Sequence, residues 1–192
     1  MKLLEEKILK DAKILDGNII KVDSFLNHRL ETDFLDKLAM EIANYFSGKG
    51  INKILTIEAS GIALAILTAV HMDNIPVVFA KKARSKNISA KVFSSKVESY
   101  TYGKFYNVTV SKEYLNSSDK LLIIDDFLAT GFAMEGLIDI SKQAKADIIG
   151  LSVAIEKGFQ NGGDNLRKKG FDLLSLAVVD SIENNTIIFR HL

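Results

Sequence analysis

Leu121-Leu-Ile-Ile-Asp-Asp126 is an apolar run that ends in two adjacent acids, and it is one of four short runs of the same character along the chain. The others are Lys53-Ile-Leu-Thr-Ile-Glu58, Pro76-Val-Val-Phe-Ala80 and the stretch from Asp147 to Ile155. A strand that is apolar on both faces must be covered on both, which is the habit of parallel sheets with crossover helices. Helical patterns stand between the runs. Phe34-Leu35-Leu38-Ala39-Ile42-Ala43-Phe46 repeats at helical spacing and stops at Gly48-Lys49-Gly50. A small-residue helix follows from Ile62 to His71, and another from about Ala133 to Ala144. The alternation predicts an α/β fold with a mostly parallel sheet flanked by helices. Phe105 to Val110, as one arm of a hairpin, Phe171 to Val179 and Thr186 to Phe189 are further strand candidates.

With 192 residues the chain is expected to form a single domain. It has no cysteine, which excludes disulfides, zinc-thiolate centres, iron–sulfur clusters and cysteine nucleophiles. Its three histidines share no metal-ligand spacing and read as incidental. The charged, helix-like start from Met1 to Lys13 lacks an apolar signal core. The longest apolar stretch, Ile62 to Val70, is far shorter than the roughly 20 residues of a membrane span. A cytoplasmic protein with no membrane partner is the expectation.

Lys and Arg number 25 against 24 Asp and Glu, and this balance argues against nucleic acid as a partner. The charge is uneven, however. From Lys81 to Glu113 the net charge is +6 while the whole chain carries +1. A local positive field suits a small anionic ligand better than a polyanion, although a solvated lysine-rich loop would have the same composition. The long connection from Lys81 to Tyr106 is the length at which a loop becomes functional or mobile.

In open parallel sheets ligands sit beyond the carboxyl ends of the strands, so the residues after each run matter most. Asp125 and Asp126 repel each other and lose solvation there, and they need hydroxyl, metal or cationic partners. Ala129-Thr130-Gly131 then leads into a helix, where backbone N–H groups, a hydroxyl and the helix dipole favour a phosphate. Carboxylates for hydroxyls beside amides for a phosphate is what a ribose 5-phosphate requires. Taken by themselves, these residues also fit an acidic strand end followed by an ordinary Thr-Gly turn.

Leu122-Ile-Ile-Asp125-Asp126-Phe-Leu-Ala-Thr130-Gly131 closely resembles the phosphoribosyl-pyrophosphate signature of the type I phosphoribosyltransferases. More narrowly, Lys21-Val-Asp-Ser-Phe-Leu-Asn-His28, Thr56-Ile-Glu-Ala-Ser-Gly61, Val77-Val-Phe-Ala-Lys81 and Ile155-Glu-Lys-Gly-Phe-Gln160 are similar to the bacterial xanthine enzymes of that family. The resemblance implies transfer of a 5-phosphoribosyl group from phosphoribosyl pyrophosphate to xanthine, giving xanthosine 5-monophosphate and pyrophosphate in purine salvage. Other purine specificities, and a regulatory protein of the same fold that binds phosphoribosyl pyrophosphate, stand as alternatives. The segment ahead of Phe34 is too short for the winged helix such regulators usually add.

The resemblance also implies roles for individual residues. Asp125 and Asp126 would hold the ribose hydroxyls, directly or through Mg2+. Ala129, Thr130, Gly131, Phe132 and Ala133 would bind the 5-phosphate, and Ser60, Gly61, Lys81 and Lys82 the pyrophosphate, in a turn that often contains a cis peptide. Ile20, Asn27 and Lys157 would contact xanthine in a hood built from residues 1–33 and 157–192, under a lid of residues 82–106. Lysine has only donors to offer and suits the carbonyls of xanthine rather than the amino group of adenine. Tyr100, Tyr102, Phe105 and Tyr106 would either pack the lid or stack on the base. A homodimer is the family's usual state. Two departures are visible in the signature: Phe132-Ala133 supplies no second hydroxyl, and Ala129 stands where oxopurine enzymes of the hypoxanthine-guanine type often carry an aspartate.

Overall fold

A computed structural model describes residues 1–15, 19–83, 91–99, 104–184 and 186–191. Its elements, in chain order, begin with α1 (Lys2–Asp11), β1 (Lys13–Leu15), β2 (Ile19–Lys21), a π-type turn (Asp23–Asn27) and α2 (Thr32–Tyr45). Next come β3 (Lys53–Ile57), α3 (Gly61–Val70), β4 (Val77–Ala83), β5 (Val92–Ser99) and β6 (Lys104–Ser111). β7 (Lys120–Leu128), α4 (Phe132–Gln143), β8 (Asp147–Lys157), a 3-10 turn (Gly158–Gln160), α5 (Gly162–Lys168), β9 (Leu173–Glu183) and β10 (Thr186–Arg190) complete the described chain.

The eight-stranded sheet has the order β10-β9-β8-β7-β3-β4-β6-β5. Its centre, β9-β8-β7-β3-β4, is parallel; β10 and the β5–β6 hairpin close the edges in antiparallel fashion. The apolar runs explain this arrangement, because both sheet faces are buried. On one face Leu4 and Ile8 of α1, Leu35, Leu38 and Ile42 of α2 and Leu64 of α3 pack with Ile54, Leu122 and Ile124. On the other, Leu137, Ile138 and Ile140 of α4 and Leu166 of α5 pack with Leu55, Ile123 and Val153.

The chain leaves β3 for β4 in one direction along the sheet and leaves β7 for β8 in the other. The reversal makes the β3–β7 junction a topological switch point, where doubly wound sheets form their ligand crevice. β3 and β7 pair from Lys53↔Leu121 only as far as Leu55↔Ile123, while β7 continues against β8 to Leu128↔Glu156. Past Ile123, β7 keeps its ladder with β8 alone, and residues 125 and 126 lie on this one-sided stretch.

Three sequence expectations change. The third apolar run does not end at its acids, since Asp125 and Asp126 lie inside β7; pairing with the long β8 carries the strand on through Leu128. Residues 92–99, expected within a weakly patterned connection, form β5 and pair along their whole length with β6. β4 likewise runs on to Ala83, so Lys81 and Lys82 are strand residues. Of the expected lid, residues 84–90 and 100–103 lie outside the described residues, and with them Tyr100 and Tyr102.

Candidate active site

Asp125 and Asp126 lie within β7 near its junction with β3 and are buried, each 6% exposed. The Asp126 backbone N–H donates to Asp125 Oδ1 at 2.9 Å. Burial, with the neighbouring Asp126 charge second, pushes the Asp125 carboxyl well above its ordinary value; the Asp126 N–H and the Lys82 charge pull the other way. Asp126 is held from two sides. Ser60 Oγ donates to its Oδ1 at 2.8 Å, and the Asn27 side-chain amide to its Oδ2 at 3.3 Å. Asn27 ends the π-type turn, whose Phe25 is buried and packs edge-on against Phe34 of α2 with ring centroids 5.7 Å apart. Packing of this turn on α2 thus delivers Asn27 to Asp126.

The turn between β3 and α3 lies against residues 125 and 126. Its Glu58–Ala59 peptide is cis, and Ser60 precedes the first residue of α3. A Cβ on Gly61 would overlap Thr56 Oγ1 and sit 3.0 Å from Asp125 Oδ1, so this turn is packed directly on the acid strand. Glu58 Oε1 accepts the Lys82 backbone N–H at 2.6 Å, tying β4 to the same turn.

Successive strand residues point to opposite faces, and this separates the two lysines of β4. The Lys82 ammonium lies 5.5 Å from the Tyr106 ring centre, and its charge acts on Asp125. Tyr106 is held above the usual tyrosine range by burial and, secondarily, by the Asp125 charge. Lys81 instead reaches the Phe79 ring at 5.8 Å and lines a cavity with Val77, Val92 and Thr109. The two lysines therefore lie on opposite faces of β4, with Lys82 on the face from which its charge acts on Asp125.

Beyond β7, Ala129-Thr130-Gly131 turns into α4. Gly131 has φ +94°, a left-handed conformation that a side chain would strain, and α4 starts at Phe132. Ala129, Thr130 and Ala133 are half-buried at this helix start, and the Phe132 ring is exposed. Amides there are free to face an anion in the way that helix N-termini do.

Lys157 closes β8, and its ammonium lies 5.8 Å from the Phe127 ring centre. Burial lowers its pKa from the ordinary lysine value. Ile20 is 5% exposed on β2, inside the core that β2 shares with α1 and α2.

Sequence reading missed several residues that support this site. Glu156, fully buried, accepts two hydrogen bonds from Arg167 at 2.9 and 2.7 Å and one from Ser175 at 2.5 Å. Gly162 lies against the backbone of residues 129–131, and Gly163 against the Glu156 carboxylate. An acid in an otherwise apolar strand, followed by a glycine pair, was the only signal on offer.

Among the described residues, no cluster of three or more acids or histidines could cage a metal ion. Magnesium is commonly bound through one or two carboxylates plus substrate phosphates, keeping several waters, and Asp125 with Asp126 fits that pattern.

Comparison with known proteins identifies the family and the fold. A phosphoribosyl transferase domain model matches residues 21–185. Over 190 residues the chain is 53% identical to xanthine phosphoribosyltransferase 2 of Clostridium botulinum, covering 99% of this chain and 100% of that one. It is 50% identical over 192 residues to the xanthine phosphoribosyltransferase of Bifidobacterium adolescentis, covering 99% of this chain and 100% of that one. The crystal structure of adenine phosphoribosyltransferase from Trypanosoma brucei, in complex with AMP, pyrophosphate and ribose-5-phosphate, shares the fold. Its TM-score is 0.74 at 18% identity, covering 91% of this chain and 78% of that one. A family match over most of the chain and near-full-length relatives show that the chain belongs to the phosphoribosyl transferase family.

Proposed function

We propose that this chain transfers the 5-phosphoribosyl group of phosphoribosyl pyrophosphate to xanthine, releasing pyrophosphate and xanthosine 5-monophosphate. The observation that carries the reading is the buried acid pair at the switch point, set between the Ser60-Gly61 turn and the Thr130-Gly131 loop. Near-full-length relatives named as xanthine phosphoribosyltransferases support the choice of base.

Asp125 and Asp126 accept the ribose hydroxyls, with Asn27 and Ser60 keeping the Asp126 carboxylate oriented. Backbone amides of residues 129–133 and the N-terminus of α4 take the 5-phosphate. Lys82 faces the departing pyrophosphate beside the Ser60-Gly61 turn, while Lys81 adds to the positive field from the other side of β4. Lys157 donates to a xanthine carbonyl, with Ile20 and Asn27 bounding the base on the hood side. A magnesium ion would be held by Asp125, Asp126 and the donor, and would neutralise charge on the pyrophosphate. What the chain itself supplies is positioning and charge stabilisation of an oxocarbenium-like state. Exclusion of water protects the donor from hydrolysis. The protein is placed in the cytoplasm and assembles as a homodimer in this reading.

Pyrophosphate release with donor and magnesium, measured with xanthine, guanine, hypoxanthine and adenine in parallel, tests the assignment. Xanthine is expected to lead by about tenfold or more, or ~1.4 kcal/mol of transition-state binding. A lead for adenine would remove the role of Lys157, and silence with all four bases alongside tight donor binding would point to a regulatory protein.

A further inference from the structure

We infer that Glu156 is a positioning residue that sets the phosphate loop from behind, through Gly162 and Gly163, and so tunes donor binding separately from base binding. The inference rests on the proposed reaction for its kinetic form, and on geometry for its substance.

Glu156 pairs with Leu128, the last residue of β7 before the loop, so it stands directly beside the point where the loop departs. Its side chain is 0% exposed. A buried carboxylate persists only when its hydrogen bonds are made, and here Arg167 grips both oxygens while Ser175 of β9 adds a third contact. The acid therefore joins β8, α5 and β9 at one point.

That point presses on the loop. A Cβ at Gly163 would overlap Glu156 Oε1, so α5 rests on the carboxylate with no space between. A Cβ at Gly162 would overlap the Ala129 carbonyl and sit 2.8 Å from the Thr130 carbonyl carbon and 2.9 Å from the Gly131 nitrogen. Two glycines thus transmit the position of Glu156 to the residues assigned to the 5-phosphate. Lys157, the next residue, packs instead near Phe127 on the hood side. One strand end places a base-reading group and a loop-setting group in succession.

The network extends outward. Arg167 Nη1 lies 3.6 Å from Asp164 Oδ1, and Asp164 is bridged at 3.1 Å by Arg190 of β10, which also binds Asp180 at 2.6 Å. This charge chain fixes α5 against the sheet edge, giving the glycine pair a rigid backing. A phosphate cradle made of backbone amides has no side chains to adjust, so its donors are useful only if the backbone is held to a fraction of an ångström.

Glu156→Gln retains the volume and weakens the Arg167 clamp, and Gly162→Ala pushes on the loop with the network intact. Donor affinity is measured by titration calorimetry with phosphoribosyl pyrophosphate and magnesium, without base, followed by steady-state KM values for donor and xanthine. Both variants are expected to bind donor about tenfold more weakly while the xanthine KM moves less than twofold, an effect of the size that loop misplacement produces. Arg167→Lys, with one charged donor left, should lie between Glu156→Gln and the unaltered chain. Equal rises in both KM values, or unchanged donor affinity in folded Gly162→Ala, would reduce Glu156 to a scaffold residue. If Glu156→Gln fails to fold, Gly162→Ala carries the test alone. An unaltered chain that binds donor but turns over no purine would sink the assigned reaction and leave this comparison standing, whereas failure to bind donor at all would sink both.

Discussion

The Asn27 side-chain amide lies 3.3 Å from Asp126 Oδ2, so the turn Asp23–Asn27 is hydrogen-bonded to the strand that carries the acid pair. Together with Ser60 on the other oxygen, it holds the Asp126 carboxylate from two elements far apart in the chain. Replacing the acid by Asn27's own side-chain type leaves the shape but exchanges an acceptor for a donor. Asp126→Asn is therefore expected to lower turnover by about 100-fold or more, the scale of losing one aligned electrostatic contact. Its melting temperature should stay close to that of the unaltered chain. Unchanged kcat would remove Asp126 from the ribose site.

Lys157 is assigned to the base alone. Loss of its ammonium should raise the xanthine KM by about 10- to 100-fold, as expected for a hydrogen bond from a charged donor worth about 1.5–3 kcal/mol. The donor KM should hardly change in Lys157→Ala. Equal rises in the two constants would count against a base-reading lysine.

A pH profile provides a second check on the same group. Burial lowers the Lys157 pKa below the ordinary 10.5, so the charged form is lost earlier as pH rises than for an exposed lysine. The xanthine KM should climb through that lowered value. Lys157→Arg, which cannot deprotonate in this range, should lack that limb of the profile; its persistence in the arginine variant would assign the limb to the substrate.

Asp125 makes the opposite contribution. Its folded-state pKa is raised well above 3.8, so the folded chain keeps a proton that the unfolded chain releases. Stability is then present at low pH and is lost as pH rises from about the unfolded value through the raised one. Asp125→Asn removes this dependence. Thermal melts should show the variant gaining on the unaltered chain between acid and neutral pH, even as activity disappears. A gap that does not change with pH would mean that Asp125 is not held in its protonated form.

Gly61 leaves no space for a side chain beside Thr56 Oγ1 and Asp125. Gly61→Ala should cost roughly 1–3 kcal/mol of stability through overpacking and weaken donor binding by moving the turn. Among the described residues Thr56 Oγ1 is buried with no hydrogen-bond partner, so Thr56→Ala sacrifices no bond and frees the space. The double variant should recover a substantial part of the loss, measured as a coupling energy in denaturant melts. Additive effects would place the strain elsewhere.

The contiguous features of this protein were legible in its sequence. The apolar runs gave the α/β class, because a strand without a polar face has only one kind of environment open to it. Asp125-Asp126 and Thr130-Gly131 marked the candidate ribose and phosphate site proposed here, since a turn into a helix requires only neighbouring residues. Tertiary structure decided what depends on partners. β7 runs past its acids because β8 is long enough to pair with it, and local propensity holds no information about that partner. Lys82 rather than Lys81 meets Asp125 because strand pairing fixes which face each one takes. Asn27 and Ser60 converge on Asp126, and Arg167 on Glu156, only after packing has closed the loops between them. Sequence determines a site whose chemistry is held within one turn of backbone. Where chemistry is assembled from separate elements, the deciding term is the burial energy of the whole sheet and its helices, which no single segment carries.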